Sequence, residues 1–463
     1  MKKIICIFLV LITVFSVCAC SCIRGENKYE YEDMTEYIKL PNYKDHTYSV
    51  EVDSLKLAVG TYLMQYSSEY TVKRGDRINV DLNFYEILDP VVDIKGNEIT
   101  ELKSDDLWLE NVATPTVDGG YQISYLIENN MIGLKIGAAA ITRKLTLADD
   151  FYKEEYRGKE IFVDIKVNNV AVDVGDVLLA SYTGYYIDAD GKIVQENGKD
   201  KIFDESDSSS FYVGANLAID EFEEGLIGMT IGVEKDIYAT FPSEYEPAPE
   251  LAGQRVLFRV KVKSLYTPPV YDDKFVTTYF SGIKTVAEFE EKLKEEYVLS
   301  LVYDYISENA HVIEYPKAEY KAALRQLIEI EGVFAENMNV TLDKYIEQEY
   351  GMTRDAYVKS NMKTEMIFYS LRNILGDAVI PTDTELKAER DALIAYYKNS
   401  YMQNDGLTET VATTEAKEFV DALGESYIYE QVLYSKIDKV IPTQVEIEMI
   451  PATKSYVFDA KAE

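Results

Sequence analysis

The chain has 463 residues, enough for roughly two to four domains with real cores, and 47% of them are hydrophobic. Its 81 acidic against 47 basic residues leave a net charge of −34. That excludes a nucleic-acid ligand, because nothing here neutralises phosphates, and it argues against a body lying flat on an anionic membrane.

Lys2-Lys3 precede an apolar run from Ile4 to Val17, followed by Cys18-Ala19-Cys20-Ser21-Cys22. A charged start, a short apolar run and small residues at its end make a secretory signal, and the run is too short to span a bilayer. Small residues directly before a cysteine resemble the lipobox of bacterial lipoproteins. The resemblance implies that Cys20, or alternatively Cys22, carries diacylglycerol and anchors the protein outside the cytoplasm. All four cysteines lie in this segment, so the body has neither a disulfide framework nor a thiolate metal site. Only two histidines occur, His46 and His311, far apart and read as surface residues, which leaves little for Ser-His or zinc chemistry. No cofactor is expected. Residues 1–22 form the signal with its lipobox; residues 23–55, charged and tyrosine-rich, form a tether and an edge segment.

From residue 56 to 170 strands alternate around a long middle segment, and an internal repeat begins. Gly75-Asp76 precedes a strand as Gly175-Asp176 does. Ile132 to Gly137 parallels Ile227 to Gly232, Thr146 to Phe151 echoes Thr240 to Tyr245, and Gly158 to Val167 echoes Gly253 to Val262.

The second copy, 171–267, reads as a working site. A strand from Val177 runs into Tyr182-Thr183-Gly184, and a polar loop leads to Ile202-Phe203-Asp204. Then come Val213-Gly214 and a helix whose Ile219, Phe222 and Leu226 recur at helical spacing. Strands at Glu234 to Thr240 and Arg255 to Leu265 flank Phe241-Pro242 and Tyr245. The pieces Tyr-Thr-Gly, Phe-Asp, Val-Gly, Glu-Glu-Gly-Leu, Gly-Met, Phe-Pro and Tyr resemble, in order and spacing, the FKBP-type peptidyl-prolyl isomerases, and most closely the isomerase domain of bacterial trigger factor. The resemblance implies a curved antiparallel sheet wrapped on one short helix, with an apolar cleft between them. It places Tyr182, Phe203, Phe222 and Phe258 on the cleft walls, and Ile219 as a backbone donor to a substrate carbonyl. Asp204 is placed at the cleft edge, bonded to Tyr182, and Tyr245 on the flap. Three departures stand out: Ser209 replaces a cleft aromatic, Phe222 stands where many members have Trp, and Pro247 and Pro249 rearrange the flap. In the first copy Leu82 replaces Tyr182, Phe84 replaces Gly184 and no Phe-Asp pair occurs, so that copy reads as non-catalytic. Trp108, the sole tryptophan, lies in its middle segment.

After Thr267-Pro268-Pro269 the apolar period changes from two to 3.6. Thr285 and Glu288 suggest a capping box, and Val286, Phe289, Leu293, Tyr297, Leu301 and Tyr305 form a stripe. Further helices are expected after Pro316, over 342–349, 354–375, 382–401 and 414–440, with a strand at 445–450. Residues 268–463 resemble the C-terminal domain of trigger factor through Asp272-Asp273-Lys274-Phe275, Thr285-Val286-Ala287-Glu288-Phe289, Glu308-Asn309-Ala310 and Tyr350-Gly351-Met352-Thr353. That implies paired helical arms around a cradle for unfolded clients, with Met338, Met352, Met362, Met366, Tyr357 and Tyr369 as adaptable contacts.

The expected protein is an α+β lipoprotein: two tandem FKBP-like antiparallel β half-barrels followed by an all-α trigger-factor-type chaperone domain. The resemblance implies peptidyl-prolyl cis-trans isomerase and chaperone activity on unfolded or newly exported proline-containing polypeptides. Its alternative is a client-binding chaperone whose cleft is vestigial. The membrane is a partner through the lipid anchor. The ribosome is not expected as one, because no basic Gly-Phe-Arg-type docking loop occurs. Replacing Cys20 and Cys22 together by Ser is expected to release the protein from the membrane fraction; a double variant that stays there would overturn the anchor.

Overall fold

The computed structural model describes residues 34–459 apart from 89–90, 93–97, 100–101, 114–128, 148, 150–153 and 246. The signal with Cys20 and Cys22, and the side chain of Trp108, lie outside the described residues. The chain divides into two compact units. One holds Asp53–Phe289 together with residues 452–459; the other holds residues 34–52 together with Glu290–Pro451.

The first unit opens with helix α1 (Val52–Gln65). Strands β1 (Ile78–Leu88), β2 (Leu102–Ala113), β3 (Ile141–Thr146) and β4 (Glu160–Val170) follow. They form an antiparallel sheet in the order β2-β1-β4-β3. The second copy repeats this plan with β5 (Val177–Tyr186), β6 (Ile202–Tyr212), β7 (Glu234–Thr240) and β8 (Arg255–Thr267), in the order β6-β5-β8-β7. Helix α2 (Asp220–Leu226) lies between β6 and β7 in sequence, and Ser68–Glu69 pairs with the end of β8.

The repeat extends to single hydrogen bonds. Gly133 N–H reaches Val72 O at 2.7 Å, and Gly228 N–H reaches Val172 O at 2.8 Å. Gly137 N–H bonds Val167 O as Gly232 N–H bonds Val262 O, at 2.8 and 2.9 Å. The Gly-Asp pairs serve the same turn in both copies: Asp76 accepts from Lys73 N–H and Asp176 from Asp173 N–H, each at 2.8 Å. One apolar core runs through both sheets, from Tyr70 to Leu265. Both are antiparallel with one buried face, so their strands alternate, as β5 does with Leu178, Ala180 and Tyr182 inward. Helix α3 (Asp273–Tyr279) is capped by the Asp272 carboxylate, which accepts from Phe275 N–H.

The second unit is built on helices α4 (Val286–Asn309), α5 (Lys317–Asn337), α6 (Leu342–Tyr350), α7 (Arg354–Leu375), α8 (Asp383–Asn404) and α9 (Glu409–Val440). Thr341, Thr353 and Thr382 cap three of these, Thr382 in a full capping box with Glu385. Residues 446–450 pair in parallel with 47–51. Helix α9 is broken at Gly424, whose φ of 82° and ψ of 162° are not helical. Among the described residues no helix is long and apolar enough to cross a membrane.

Two expectations change here. Beyond Leu293 the buried face of α4 runs through Val298, Val302 and Ile306 rather than the stripe Tyr297, Leu301 and Tyr305. Valine and isoleucine carry no polar atom, whereas a tyrosine must keep its hydroxyl partnered; Tyr305 stays half-buried, stacked on His46 at 4.1 Å. Met362, Met366 and Tyr369 are core residues, not client contacts, while Met338 and Met352 are exposed. Helical spacing marks a stripe but not what covers it.

A buried pair holds α4 to α9: Tyr303 donates its hydroxyl to Asp438 at 2.5 Å. Burial pushes the Asp438 carboxyl up to about 6, against the opposing effects of that bond and of Lys439. Its folded value exceeds the ordinary one, so the folded state holds the proton longer and stability falls as pH rises from about 4 to about 6. Asp438→Asn keeps an acceptor without the ionisation. Urea denaturation should therefore show the variant gaining on the wild type across that window, by up to ~3 kcal/mol. A difference that stays flat with pH would remove Asp438 as the cause.

Candidate functional site

The site is built on β5, central in its sheet. Alternation places Ala180, Tyr182 and Gly184 on one buried face. Across from them β8 presents Val262, Val260 and Phe258. On the other side β6 meets β5 with a slip in register: Gly184 lies opposite Asp204, and the next residue, Tyr185, lies opposite Ile202. Phe203 is therefore the extra residue of a β-bulge, a device that re-aims one side chain. Its ring fills the place a side chain on Gly184 would take; a Cβ there would sit 2.5 Å from Phe203 Cζ. The Tyr-Thr-Gly and Phe-Asp motifs are thus two halves of one contact. In the first copy Phe84 occupies the position of Gly184 and is buried in the core itself.

Helix α2 closes the other wall. Gly225 costs a short helix about 0.5–1 kcal/mol in propensity, but it lets α2 settle on β7, since a Cβ there would meet Ile237 Cδ1 at 2.9 Å. Phe222 thereby reaches Phe258 at 4.9 Å between ring centroids. Ile219 is the N-cap residue, with extended backbone, and its carbonyl accepts from Phe222 and Glu223 N–H at 3.0 and 3.1 Å. Among the described residues its own N–H donates to no backbone acceptor. Inside the helix the Glu223 carboxylate, 7% exposed, accepts from Gly214 N–H at 2.9 Å and Ala218 N–H at 3.0 Å. Burial raises its pKa and these bonds oppose the rise.

Five of the seven predicted residues, Tyr182, Phe203, Asp204, Phe222 and Phe258, meet in one cluster, while Tyr245 joins it through Phe241 and Ile219 packs against the same core. Phe258 touches Phe203 at 5.5 Å and Tyr182 at 6.1 Å, mostly edge to face. Tyr182 donates its hydroxyl to Asp204 Oδ2 at 2.7 Å. Burial first, then this bond, raises the Tyr182 phenol well above its ordinary value. Burial and the Asp204 charge also raise Tyr245, which reaches the cluster through Phe241 at 4.8 Å. Both phenols therefore stay protonated at physiological pH.

Sequence reading missed two walls. Phe241 packs on Phe203 at 5.8 Å and Phe211 on Phe222 at 5.0 Å. Phe241 was signalled by the Phe-Pro pair and Phe211 by its place before Val-Gly. Ser209, where an aromatic was missed, lies beside the Tyr182 hydroxyl and donates to Ser206 Oγ at 2.8 Å.

Chemically the arrangement offers dry aromatic walls, one unspent backbone donor and one neutral phenol held by a carboxylate. Among the described residues no three His, Cys, Asp or Glu side chains are placed to hold a metal ion. A recess of about 660 Å³ lies in the helical unit, lined by Tyr320, Leu324, Glu347, Met352 and Arg354 among others. It shares no residue with this cluster.

The FKBP-type peptidyl-prolyl cis-trans isomerase family matches residues 169–263. Trigger factor of Brevibacillus brevis is 27% identical over 284 residues, covering 56% of this chain and 63% of its own. That of Caldicellulosiruptor bescii is 31% identical over 291 residues, covering 57% and 59%. The chain thus spans less than two thirds of the length of these curated relatives. A solved trigger factor chaperone chain aligns over 68% of this chain and 82% of its own at 13% identity, with a TM-score of 0.19 that supports no shared arrangement. Residues 169–263 form an FKBP-type domain in a trigger factor-like chain of mixed α+β fold.

The fit of Phe203 over Gly184 can be tested for stability alone. Gly184→Ala should cost about 1–3 kcal/mol in urea unfolding through overpacking. Combined with Phe203→Ala the losses should fall short of their sum, because the clash disappears with the ring. Simple additivity would show that the two residues do not share this contact.

Proposed function

We propose that this trigger factor-like, FKBP-type protein isomerises prolyl peptide bonds in unfolded or newly exported polypeptides, and holds such clients, from a lipid anchor on the outer face of the cell membrane. The observation that carries the first part is the aromatic cluster around Phe203, with its neutral Tyr182 and the unspent Ile219 N–H.

Rotation about a peptide bond meets a barrier of about 18–20 kcal/mol, because resonance gives the C–N bond double-bond character. No covalent bond breaks, so neither nucleophile nor general base is needed. The twisted amide has lost its conjugation and much of its polarity, and dry walls favour it over the planar form. Phe203, Phe222, Phe241 and Phe258 supply those walls. Ile219 N–H holds a substrate carbonyl, and Asp204 fixes the Tyr182 hydroxyl at the edge.

A second reading, a holding chaperone with a vestigial cleft, has its own support in the helical unit. Ile328 and Phe334 on α5, Met338 at its C-terminal cap and Met352 beside α6 are exposed, Phe334 by 51% and Met338 by 52%. Large apolar groups in such number mark contact surface, and methionine adapts to varied partners.

The two readings separate by mutation. Phe203→Ala admits water to the cleft, and Asp204→Ala leaves the Tyr182 hydroxyl without its acceptor, at a cost of about 1–3 kcal/mol. Either change should slow isomerisation of a short proline peptide tenfold or more, about 1.4 kcal/mol in the barrier. Suppression of aggregation of a client whose refolding is not proline-limited should stay intact. Phe334→Ser with Met338→Ser should do the reverse. Full isomerase activity in folded Phe203→Ala would falsify the site, and an inactive wild type would leave the holding chaperone.

A further inference from the structure

The end of the chain reaches back to the first unit and lies beside the loop that presents Ile219. From residue 453 to 459 it runs as a strap between α1 and residues 214–220. On the α1 side, Thr453 donates its N–H and hydroxyl to Asp53 Oδ2 at 2.8 and 2.6 Å, and the buried Tyr456 donates to Asp53 Oδ1 at 2.9 Å. On the loop side, Val457 N–H donates to Gly214 O at 3.0 Å. Asn216 Nδ2 donates to Ser455 O at 2.9 Å, and Lys454 Nζ pairs with Asp220 Oδ1 at 2.7 Å. Phe458 packs against Tyr271 and Tyr212, with ring centroids 6.1 and 6.2 Å away.

The loop needs such support. Gly214-Ala215-Asn216-Leu217-Ala218 has backbone in the left-handed region at Gly214 and Asn216, with φ of 86° and 55°. It belongs to no strand or helix. From inside, its amides at Gly214 and Ala218 converge on Glu223; from outside, the strap bonds Gly214 O and Asn216 Nδ2. Ile219 is the next residue, so a loop that wanders carries the Ile219 N–H with it.

We propose that residues 453–459 are a positioning element for the isomerisation site, holding the loop so that Ile219 N–H meets the substrate carbonyl. This rests on the isomerase reading above. It adds that the site is completed by residues more than two hundred positions away from Ile219, acting through the loop and not on the substrate itself.

The test uses the full chain with Phe458→Ala, and separately a chain ending at Pro451, assayed on a short proline peptide. A donor that binds ground and transition states alike acts on KM, so KM should rise about five- to tenfold with kcat within about twofold. Amide exchange at Gly214 and Ala218 should quicken. In Asn216→Gly, which keeps the backbone conformation and loses only the bond to Ser455, both effects should appear in weaker form. A merely structural strap would instead lower the folded fraction, so that apparent kcat falls at constant KM. That result, or unchanged exchange at Gly214 and Ala218 in folded Phe458→Ala, overturns the proposal. If the wild type isomerises nothing, the isomerase reading fails on its own, and the exchange rates still decide whether the strap orders the loop.

Discussion

The Phe203 ring resting over Gly184 is the contact on which the second copy's site depends. A bulge in β6 frees one residue from the ladder, and only a glycine opposite leaves room for its ring. Once that ring is placed, Phe258, Phe241 and Tyr186 pack on it within 5.5 to 5.8 Å. The bulge also leaves Asp204 where it accepts from Tyr182. The aromatic walls and the polar edge therefore share one cause.

The first copy shows the same scaffold without that contact. Its strand order, its Gly-Asp turn and its cross-loop hydrogen bonds match the second, so backbone geometry alone does not make the site. Phe84, at the position of Gly184, and Leu82, at that of Tyr182, are both buried in the core. Each such side chain contributes roughly 1.5–3 kcal/mol by its burial. Continuity of the core from Tyr70 to Leu265 gives this copy a supporting role for the other.

Much of this was legible in the sequence because the motif residues are those whose identity the geometry dictates. Gly184 and Gly225 stand where a Cβ would collide with a neighbour, and such positions leave a mark in the text of the chain. The β-bulge was not legible, since Ile-Phe-Asp-Glu-Ser fits a ladder in either register. Phe211 and Phe241 were overlooked for the same reason: a phenylalanine in a strand or loop reads as core until its neighbours are known. On α7, Met362, Met366 and Tyr369 were expected as client contacts, but residue type alone does not say that neighbouring helices cover them. The strap was invisible because Asp53 and Thr453 lie 400 positions apart, and no local pattern encodes a pairing at that range.

That separation bears on how the unit is completed. The chain leaves the first unit at Phe289 and returns at Ala452, with a whole helical unit between. Closing so long a loop costs only slightly more than closing a short one, because the entropy grows with the logarithm of length. Asp53, Gly214 and Asn216 precede the helical unit in the chain, and their partners Thr453, Val457 and Ser455 follow it. The Ile219 loop is therefore held from two distances in sequence: by Glu223 close by, and by residues 453–457 from beyond the helical unit.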